Sequence, residues 1–204
     1  MKLILASASP RRRELMEMLC PGKLEIVPAV GEECADPVAT VCATCQAKAL
    51  AVAKAFPLWE KRPEGAEEGP AADPAALVVS SDTIVVLDGQ IMGKPHSPEE
   101  AEQMLSSLSG RTHQVYTAVT LHSHARQKTE VACTQVTFRP LDPTEIRAYI
   151  ASGEPMDKAG AYGIQGRGAV LVSHLEGDYF NVMGLPLCTL CRMLRSFGVK
   201  VLGV

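Results

Sequence analysis

Three clusters of polar residues have the types and spacing that phosphate chemistry requires. The first is the segment Ser7–Arg13, which reads SASPRRR and follows an apolar stretch. Ser9 is a good N-cap and proline is favoured as the first helical residue, so this segment predicts a helix start. Free N–H groups at a helix start attract phosphate, and Arg11 and Arg12 in the first turn add bidentate donors. A solvated basic helix end is the alternative, although three arginines there oppose the helix dipole.

A second cluster, Ser80–Thr83, places a carboxylate within an apolar strand sequence. Burial of Asp82 costs free energy unless the group is paired, bound to a metal or used in catalysis. An aspartate that caps a turn at a strand end is the alternative interpretation. Downstream, Gly93 and Pro95 flank Lys94 in a turn that could direct its ammonium inward, although this turn alone fits an exposed lysine better.

The third cluster, Asp157–Gly166, reads DKAGAYGIQG and is rich in glycine. Glycine lets backbone amides approach a ligand closely. The side-chain amide of Gln165 can donate and accept hydrogen bonds at once. This combination suits the edge of a nucleobase, so the cluster predicts a base-binding loop.

Cysteines and histidines form no firm metal motif. The seven cysteines are an odd number in a chain with no export signal, which argues against a disulfide framework. The pairs Cys42/Cys45 and Cys188/Cys191 fall in segments predicted as helix interior. We interpret them as small buried residues, with a zinc or redox site as the alternative. The five histidines lack metal-ligand spacing and are expected at the surface.

The elements that position these clusters follow from hydrophobic periodicity and turn residues. Strands are predicted at Leu3–Ala6, Leu24–Pro28, Leu77–Leu87, Gln90–Met92, His113–Ser123, Glu130–Arg139 and Ala169–Leu175. Helices are predicted at Pro10–Leu19, Val38–Ala55, Glu99–Ser107, Thr144–Ser152 and Leu185–Phe197. This mixed order indicates an α/β or α+β protein around one long mixed sheet.

The segment Pro57–Ala75 differs in composition from the rest of the chain. It carries four prolines, two glycines and five acidic residues, with little to bury. We interpret it as a flexible surface insertion and not as a domain boundary, because apolar strands resume directly after it. Residues 1–204 are therefore predicted to form one domain.

Bulk composition narrows the class of ligand. A net charge of −3 and an aromatic content of 4% do not suit a nucleic-acid polymer or an anionic membrane. A small phosphorylated molecule, held by a local cluster of Lys and Arg, fits better. The apolar N-terminus is too short for a signal peptide, and no apolar run approaches the roughly 18 residues that span a bilayer. A cytoplasmic location is therefore expected.

Motifs along nearly the whole chain together resemble the Maf family of nucleotide pyrophosphatases. The resemblance rests on LASASPRR from Leu5, SDTIV from Ser81, GKP from Gly93, LSG from Leu108, GEP from Gly153, DKAGAYGIQG from Asp157 and NVMGLPL from Asn181. The motifs stand in the order expected of the family, and their density makes chance matching an inadequate explanation.

The resemblance implies a two-lobed Maf/ITPase-like α/β fold, with an extended mixed sheet and the active site in the cleft between the lobes. It also implies hydrolysis of a nucleoside triphosphate to the monophosphate and pyrophosphate with a divalent cation, Mg²⁺ or Mn²⁺. The AYGIQG form at 161–166 is similar to the branch that acts on dTTP and UTP, with modified pyrimidine nucleotides as further candidates. Dimers are associated with the family, so a homodimer is an expectation.

Site residues are carried over from the resemblance by position. Asp82 would be the proton acceptor, and Arg11, Thr83 and Gln165 would be tied to substrate choice. Polar or basic family positions near the phosphates are matched by Ser7, Arg12, Lys48 and Lys94.

The sequence leaves alternatives open for the ligands of the metal and for the function of the protein. Glu32 and Asp82 are candidate metal ligands, but Gly31 stands where the family usually has an aspartate, which weakens the assignment of Glu32. A non-enzymatic nucleotide-binding regulator of cell division or septum formation would carry the same motifs without releasing pyrophosphate. A zinc-stabilised adaptor built on the two Cys-x-x-Cys pairs would contain stoichiometric zinc.

Overall fold

The computed structural model describes residues 2–22, 24–28, 36–55 and 76–203. Its described strands are β1 (Lys2–Ala6), β2 (Leu24–Ile26), β3 (Ala76–Leu87), β4 (Gln90–Met92), β5 (Thr112–His122), β6 (Gln127–Phe138) and β7 (Val172–Glu176). Its described α-helices are α1 (Pro10–Leu19), α2 (Pro37–Ala55), α3 (Pro98–Leu108), α4 (Pro143–Ala151), α5 (Tyr179–Met183) and α6 (Leu187–Ser196). Short 3₁₀ helices cover Glu154–Asp157, Ala159–Ala161 and Gly166–Leu171.

Within these ranges the strands form one mixed sheet in the order β2-β1-β3-β5-β6-β7, and β4 pairs with β3. β1 runs parallel to β2 and β3, whereas the remaining pairings are antiparallel. The strands β3 and β5, of 12 and 11 residues, join the two ends of the sheet. The predicted α/β class with one long mixed sheet is therefore confirmed.

Two apolar clusters lie at the two ends of these long strands. Because side chains alternate between the faces of a strand, Leu77 and Val79 share one face of β3 with Val85 and Leu87. The first two pack with α1 and α6, and the last two pack with α3 and α4. Helix α2 packs on the opposite face of the sheet. The result is two lobes that share β3 and β5.

The cleft between the lobes coincides with a gap along one edge of β3. On that edge, β1 pairs with β3 as far as Ser80, and β4 pairs with it from Val85 onward. Among the described strands, none pairs with the intervening residues 81–84 on this edge. Asp82 and Thr83 are therefore accessible at the point where the lobes meet.

Helix starts follow the local sequence as predicted. Ser9, Ser97 and Asp142 are N-caps, and each side chain accepts a hydrogen bond from a backbone N–H in the first turn. Each is followed by proline, whose fixed φ and missing N–H suit the first helical position. The start of α1, which carries the first polar cluster, is thus set by the sequence around it.

Several predicted boundaries were wrong. Residues 169–171 lie in a 3₁₀ helix, so β7 begins only at Val172. The short helix Tyr179–Met183 was not predicted, because five residues show no helical periodicity. β6 begins at Gln127, earlier than expected, because an antiparallel hairpin extends the pairing beyond the alternating pattern. The predicted insertion Pro57–Ala75 lies outside the described residues.

The two Cys-x-x-Cys pairs lie on helices, as expected, but they are not uniformly buried. Cys45 is buried, Cys42 and Cys191 are half-buried and Cys188 is exposed. The prediction of buried residues was therefore right for Cys45 alone, because a helix packed on one side exposes its other face. None of the described helices is long and apolar enough to span a membrane.

Candidate active site

A cavity of about 660 Å³ opens between the two lobes. It is formed by the β1–α1 loop, α2, the middle of β3, the loop after β4 and the segments 157–166 and 182–184. Eight predicted site residues all line it: Ser7, Arg11, Arg12, Lys48, Asp82, Thr83, Lys94 and Gln165. The structure thus brings together residues that are far apart in the sequence. Glu32 lies outside the described residues.

The cleft is strongly basic although the whole chain has a net charge of −3. The basic side chains in its lining are Arg11, Arg12, Lys48, Lys94 and Lys158, against the acidic Asp82 and Asp157. A local excess of positive charge attracts a multiply charged anion and raises its local concentration. The arrangement matches the charge of a triphosphate.

Asp82 forms an ion pair with Lys48 across the cleft wall. Lys48 on α2 donates from Nζ to Oδ1 of Asp82 at 2.5 Å, and the two side chains are 14% and 17% exposed. Ionic pairing satisfies a carboxylate in a half-buried position that would otherwise be costly. No described residue makes a hydrogen bond to the second oxygen of Asp82, Oδ2, so within the described part of the chain this oxygen is open to a water molecule or a ligand.

Arg12 is anchored to the protein more firmly than expected. Its Nε donates to the carbonyl oxygen of Gly184 at 2.9 Å, and its Nη2 donates to Oγ1 of Thr83 at 3.0 Å. Burial lowers the pKa of Arg12 from its ordinary value, although the guanidinium of arginine stays charged in proteins. Arg12 therefore presents a fixed positive charge, with only part of its fork left for a phosphate.

The hydroxyl of Thr83 belongs to a directed chain of hydrogen bonds. Thr117 donates its single proton to the carbonyl oxygen of Asn181 at 2.8 Å. The 3.0 Å contact between the hydroxyls of Thr83 and Thr117 therefore has Thr83 as donor. Since Thr83 also accepts from Arg12, its proton and one lone pair are already used. Thr83 holds Arg12 in place, and its assignment to substrate choice stays a prediction.

The β1–α1 loop is organised by its two serines. Ser7 accepts at Oγ from the backbone N–H of Ser9 at 3.2 Å, which shapes the turn before α1. Arg11 in α1 and Lys94 beyond β4 have no ion-pair partner among the described carboxylates. Their charges are therefore available to an incoming anion.

Asp157 and Lys158 also line the cleft, although no role was predicted for them. Lys158 is 14% exposed and donates from Nζ to Oδ1 of Asp157 at 2.5 Å and to the carbonyl oxygen of Glu154 at 2.6 Å. A Cβ added at Gly163 would lie 2.8 Å from Cε of Lys158, so glycine makes room for this lysine stem. The sequence signal that could have identified them is their place at the start of the glycine-rich cluster Asp157–Gly166.

His113 contradicts the prediction that the histidines lie at the surface. It is fully buried, and its Nε2 lies 2.8 Å from the hydroxyl of Tyr162, a residue that lines the cleft. Burial lowers the pKa of His113 to about 4, so the ring is neutral near pH 7. The sequence did not predict this burial, because the alternation of residues in a strand does not show which face of the sheet other elements cover.

A divalent cation finds few ready-made ligands in the described part of the chain. No group of three or more His, Cys, Asp and Glu side chains there could hold a metal ion. Mg²⁺, however, is usually held by one or two carboxylates together with substrate phosphates. The carboxylate of Asp82 fits that mode, which needs no protein cage.

Comparison with known proteins gives a consistent result over nearly the whole chain. The family model described as Maf-like protein matches residues 2–197. The dTTP/UTP pyrophosphatase of Moorella thermoacetica is 50% identical, with 99% of this chain and 98% of the relative covered. Those of Bacillus velezensis and Carboxydothermus hydrogenoformans are 43% and 44% identical, and the matches cover at least 97% of every chain.

A solved structure supports the fold independently of close sequence similarity. The Ham1 protein of Staphylococcus aureus matches with a TM-score of 0.50 at 14% identity, covering 96% of this chain and 99% of the other. At that identity the likeness bears on the fold alone, and it agrees with the two-lobed α/β architecture. From the family match and the full-length relatives together, it follows that the chain belongs to the Maf-like protein family.

Proposed function

We propose that this protein hydrolyses dTTP and UTP between the α- and β-phosphates, releasing the nucleoside monophosphate and pyrophosphate. The observation that carries the proposal is the basic cleft, in which the carboxylate of Asp82 lies among five cationic side chains and keeps one oxygen that no described residue contacts by a hydrogen bond. Relatives that are 42–50% identical over almost their full length are named dTTP/UTP pyrophosphatases, which supports the same substrates here.

The cationic side chains have separate roles in this reaction. Arg11, Lys94 and Lys158 bind and neutralise the β- and γ-phosphates, where negative charge develops as pyrophosphate leaves. Arg12 stays fixed by Gly184 and Thr83 and contributes its charge to the same region. Because hydrogen bonds hold Arg12 and Lys158 before substrate binds, these two groups need little reorganisation at the moment of reaction.

Asp82 acts as the proton acceptor. Its Oδ1 is held by Lys48, which fixes the orientation of the carboxylate and directs Oδ2 to the attacking water. The water loses its proton to Asp82 as its oxygen attacks the α-phosphorus in line with the departing pyrophosphate. Lys48 is thus a positioning residue for the base as well as part of the basic cleft.

A divalent cation, Mg²⁺ or Mn²⁺, is the expected cofactor. The phosphates would supply most of its oxygen ligands. The assignment of Asp82 as a metal ligand stays a prediction that is separate from its role as the proton acceptor. When bound, the cation would neutralise phosphate charge. The assignment of Glu32 as a second ligand stays a prediction, as do the homodimer and the cytoplasmic location.

Gln165 is the residue that reads the base. It lies at the cleft, half-buried, and its side chain makes no capping hydrogen bond to the 3₁₀ helix that follows it. Its amide is therefore free to pair with the donor and acceptor atoms at a pyrimidine edge. With the hydroxyl of Thr83 occupied, base selection rests mainly on Gln165.

The test is product analysis with a panel of nucleoside triphosphates, each incubated with Mg²⁺, Mn²⁺ or a chelator. The proposal expects metal-dependent formation of monophosphate and pyrophosphate, fastest with dTTP and UTP. Fastest turnover of a purine nucleotide would keep the reaction and refute the substrate assignment. Tight nucleotide binding with no product would instead favour the non-enzymatic regulator.

A further inference from the structure

The loop that carries Gln165 is held by a residue outside the cleft lining. Glu154 lies in the short 3₁₀ helix after α4, and its two carboxylate oxygens face the start of the 3₁₀ helix Gly166–Leu171. Oε2 accepts from the backbone N–H of Arg167 at 3.0 Å, and Oε1 accepts from that of Gly168 at 3.1 Å. These are first-turn N–H groups, which a helix cannot satisfy internally.

Gln165 occupies the N-cap position of this 3₁₀ helix, where a side chain would ordinarily accept such a hydrogen bond. The structure shows no capping bond from the Gln165 side chain. Glu154, eleven residues before Gln165 in the sequence, accepts the hydrogen bonds of the first-turn N–H groups. The side chain of Gln165 is therefore not needed as the cap. Its amide can then point to a ligand.

Tyr149 holds the other side of Gln165. Its hydroxyl donates to Oε1 of Glu154 at 3.0 Å and accepts from the backbone N–H of Gly163 at 3.1 Å. The three residues between Gly163 and Arg167, which include Gln165, are therefore held at both ends by one connected network. The fit is close, since a Cβ at Gly166 would lie 2.9 Å from Oε2 of Glu154.

The three hydrogen bonds that the carboxylate of Glu154 accepts favour its charged form. Burial acts to raise its pKa, but the backbone N–H groups of Gly168 and Arg167 and the hydroxyl of Tyr149 lower it, with a net decrease from the ordinary value. Glu154 is therefore ionised near neutral pH, as its three donors require.

We propose that Glu154 is a positioning residue for nucleobase selection, which caps the 3₁₀ helix after Gln165 in place of Gln165 itself and so leaves that amide free for the base. The inference rests on the proposed function, because it assigns base reading to Gln165. Glu154 itself does not contact the substrate.

The experiment compares UTP with CTP, which differ only in the donor–acceptor pattern of the pyrimidine edge. The ratio of kcat/KM for the two nucleotides is measured for the wild type, Glu154→Gln, Gln165→Ala and the double variant. A ratio taken on one preparation is insensitive to the fraction of folded enzyme, so a loss of stability alone does not change it. Dissociation constants for non-hydrolysable UTP and CTP analogues are measured on the same proteins.

We expect Glu154→Gln to reduce the UTP/CTP ratio about 3- to 10-fold, the equivalent of one hydrogen bond. In the Gln165→Ala background the same change should have no further effect on the ratio, because Glu154 acts through Gln165. Glu145→Gln is the matched control. Glu145 also caps a helix, α4, but outside the cleft, so this change should affect stability and leave the ratio unchanged.

An unchanged ratio in Glu154→Gln, or a full further decrease in the double variant, would overturn the inference. A wild type that binds UTP more tightly than CTP but hydrolyses neither would refute the proposed function alone, and the analogue affinities would still test Glu154. A wild type with no preference between the two nucleotides in either measurement would overturn the role of Gln165 and that of Glu154 with it.

Discussion

At the residue scale, the proposed reaction depends on the hydrogen bond between Asp82 and Lys48. Lys48 holds Oδ1 of the carboxylate, and in the proposed reaction the other oxygen takes the proton from water. An ion pair of this kind orients the carboxylate of Asp82 while leaving its second oxygen uncontacted by Lys48. The sequence identified both residues as site candidates, but it did not show that they contact each other, because the contact joins α2 to the middle of β3.

Replacement of Asp82 by Asn tests this assignment. The amide keeps the size of the side chain but removes the proton acceptor, so kcat with UTP should fall by about 10²- to 10⁴-fold. Asp88→Asn is the control, since Asp88 lies at the exposed end of the same strand and pairs with Arg111. Its kcat should stay near that of the wild type. Near-normal turnover by Asp82→Asn would remove Asp82 from the mechanism.

At the element scale, the contact between β5 and α5 determines where Arg12 is held. Thr117 on β5 donates to the carbonyl oxygen of Asn181 on α5 and accepts from Thr83, which in turn accepts from Arg12. Gly184, directly after α5, provides the second anchor of Arg12. A five-residue helix is thus part of the site, although it makes a small contribution to the core.

Thr117→Val breaks this chain while keeping the shape of the side chain. The change removes one of the two hydrogen bonds that the carbonyl oxygen of Asn181 accepts, and it leaves the hydroxyl proton of Thr83 without its acceptor. The free energy of unfolding should therefore fall by about 1–3 kcal/mol. Thr112→Val on the same strand is the control. Its hydroxyl pairs with Thr137 at the exposed surface, and the expected change is within about 0.5 kcal/mol. Urea unfolding measures both, and equal effects would contradict the importance of the buried chain.

The same elements show what the sequence could and could not predict. Cap residues, alternation and turn residues gave most of the element order. They placed the first polar cluster at a helix start, the second within a strand and the third in a glycine-rich segment. The partners of Arg12 could not be found this way, because Gly184 lies 172 positions further along the chain. The proposed role of Glu154 could not be predicted for a related reason. Its carboxylate accepts from the backbone N–H groups of Arg167 and Gly168, which only the folded chain brings close to it.

At the scale of the whole molecule, the buried His113 links stability to pH. Burial lowers its pKa to about 4, whereas an unfolded chain has a histidine pKa of about 6.5. Between these values the unfolded state binds more protons than the folded state does. The stability that the neutral, buried His113 provides is therefore fully present above about pH 6.5, and it is lost as the pH falls toward 4.

His113→Gln removes the titrating ring, so the pH dependence should weaken. Between pH 7 and pH 4.5 the wild type should lose about 2 kcal/mol more of its free energy of unfolding than the variant. Urea unfolding of both proteins at the two pH values measures the difference, and carboxylates cancel because they are common to both. Equal losses would show that His113 does not have a lowered pKa in the folded protein.

The central claim for the molecule as a whole is that its cleft directs water to the α-phosphorus of a pyrimidine nucleotide. Hydrolysis of UTP in ¹⁸O-labelled water, with Mg²⁺ and mass analysis of the products, tests it most directly. The account predicts UMP and pyrophosphate in equal amounts, with the ¹⁸O label in UMP. Label in pyrophosphate, formation of UDP and phosphate, or the absence of products from bound UTP would contradict it.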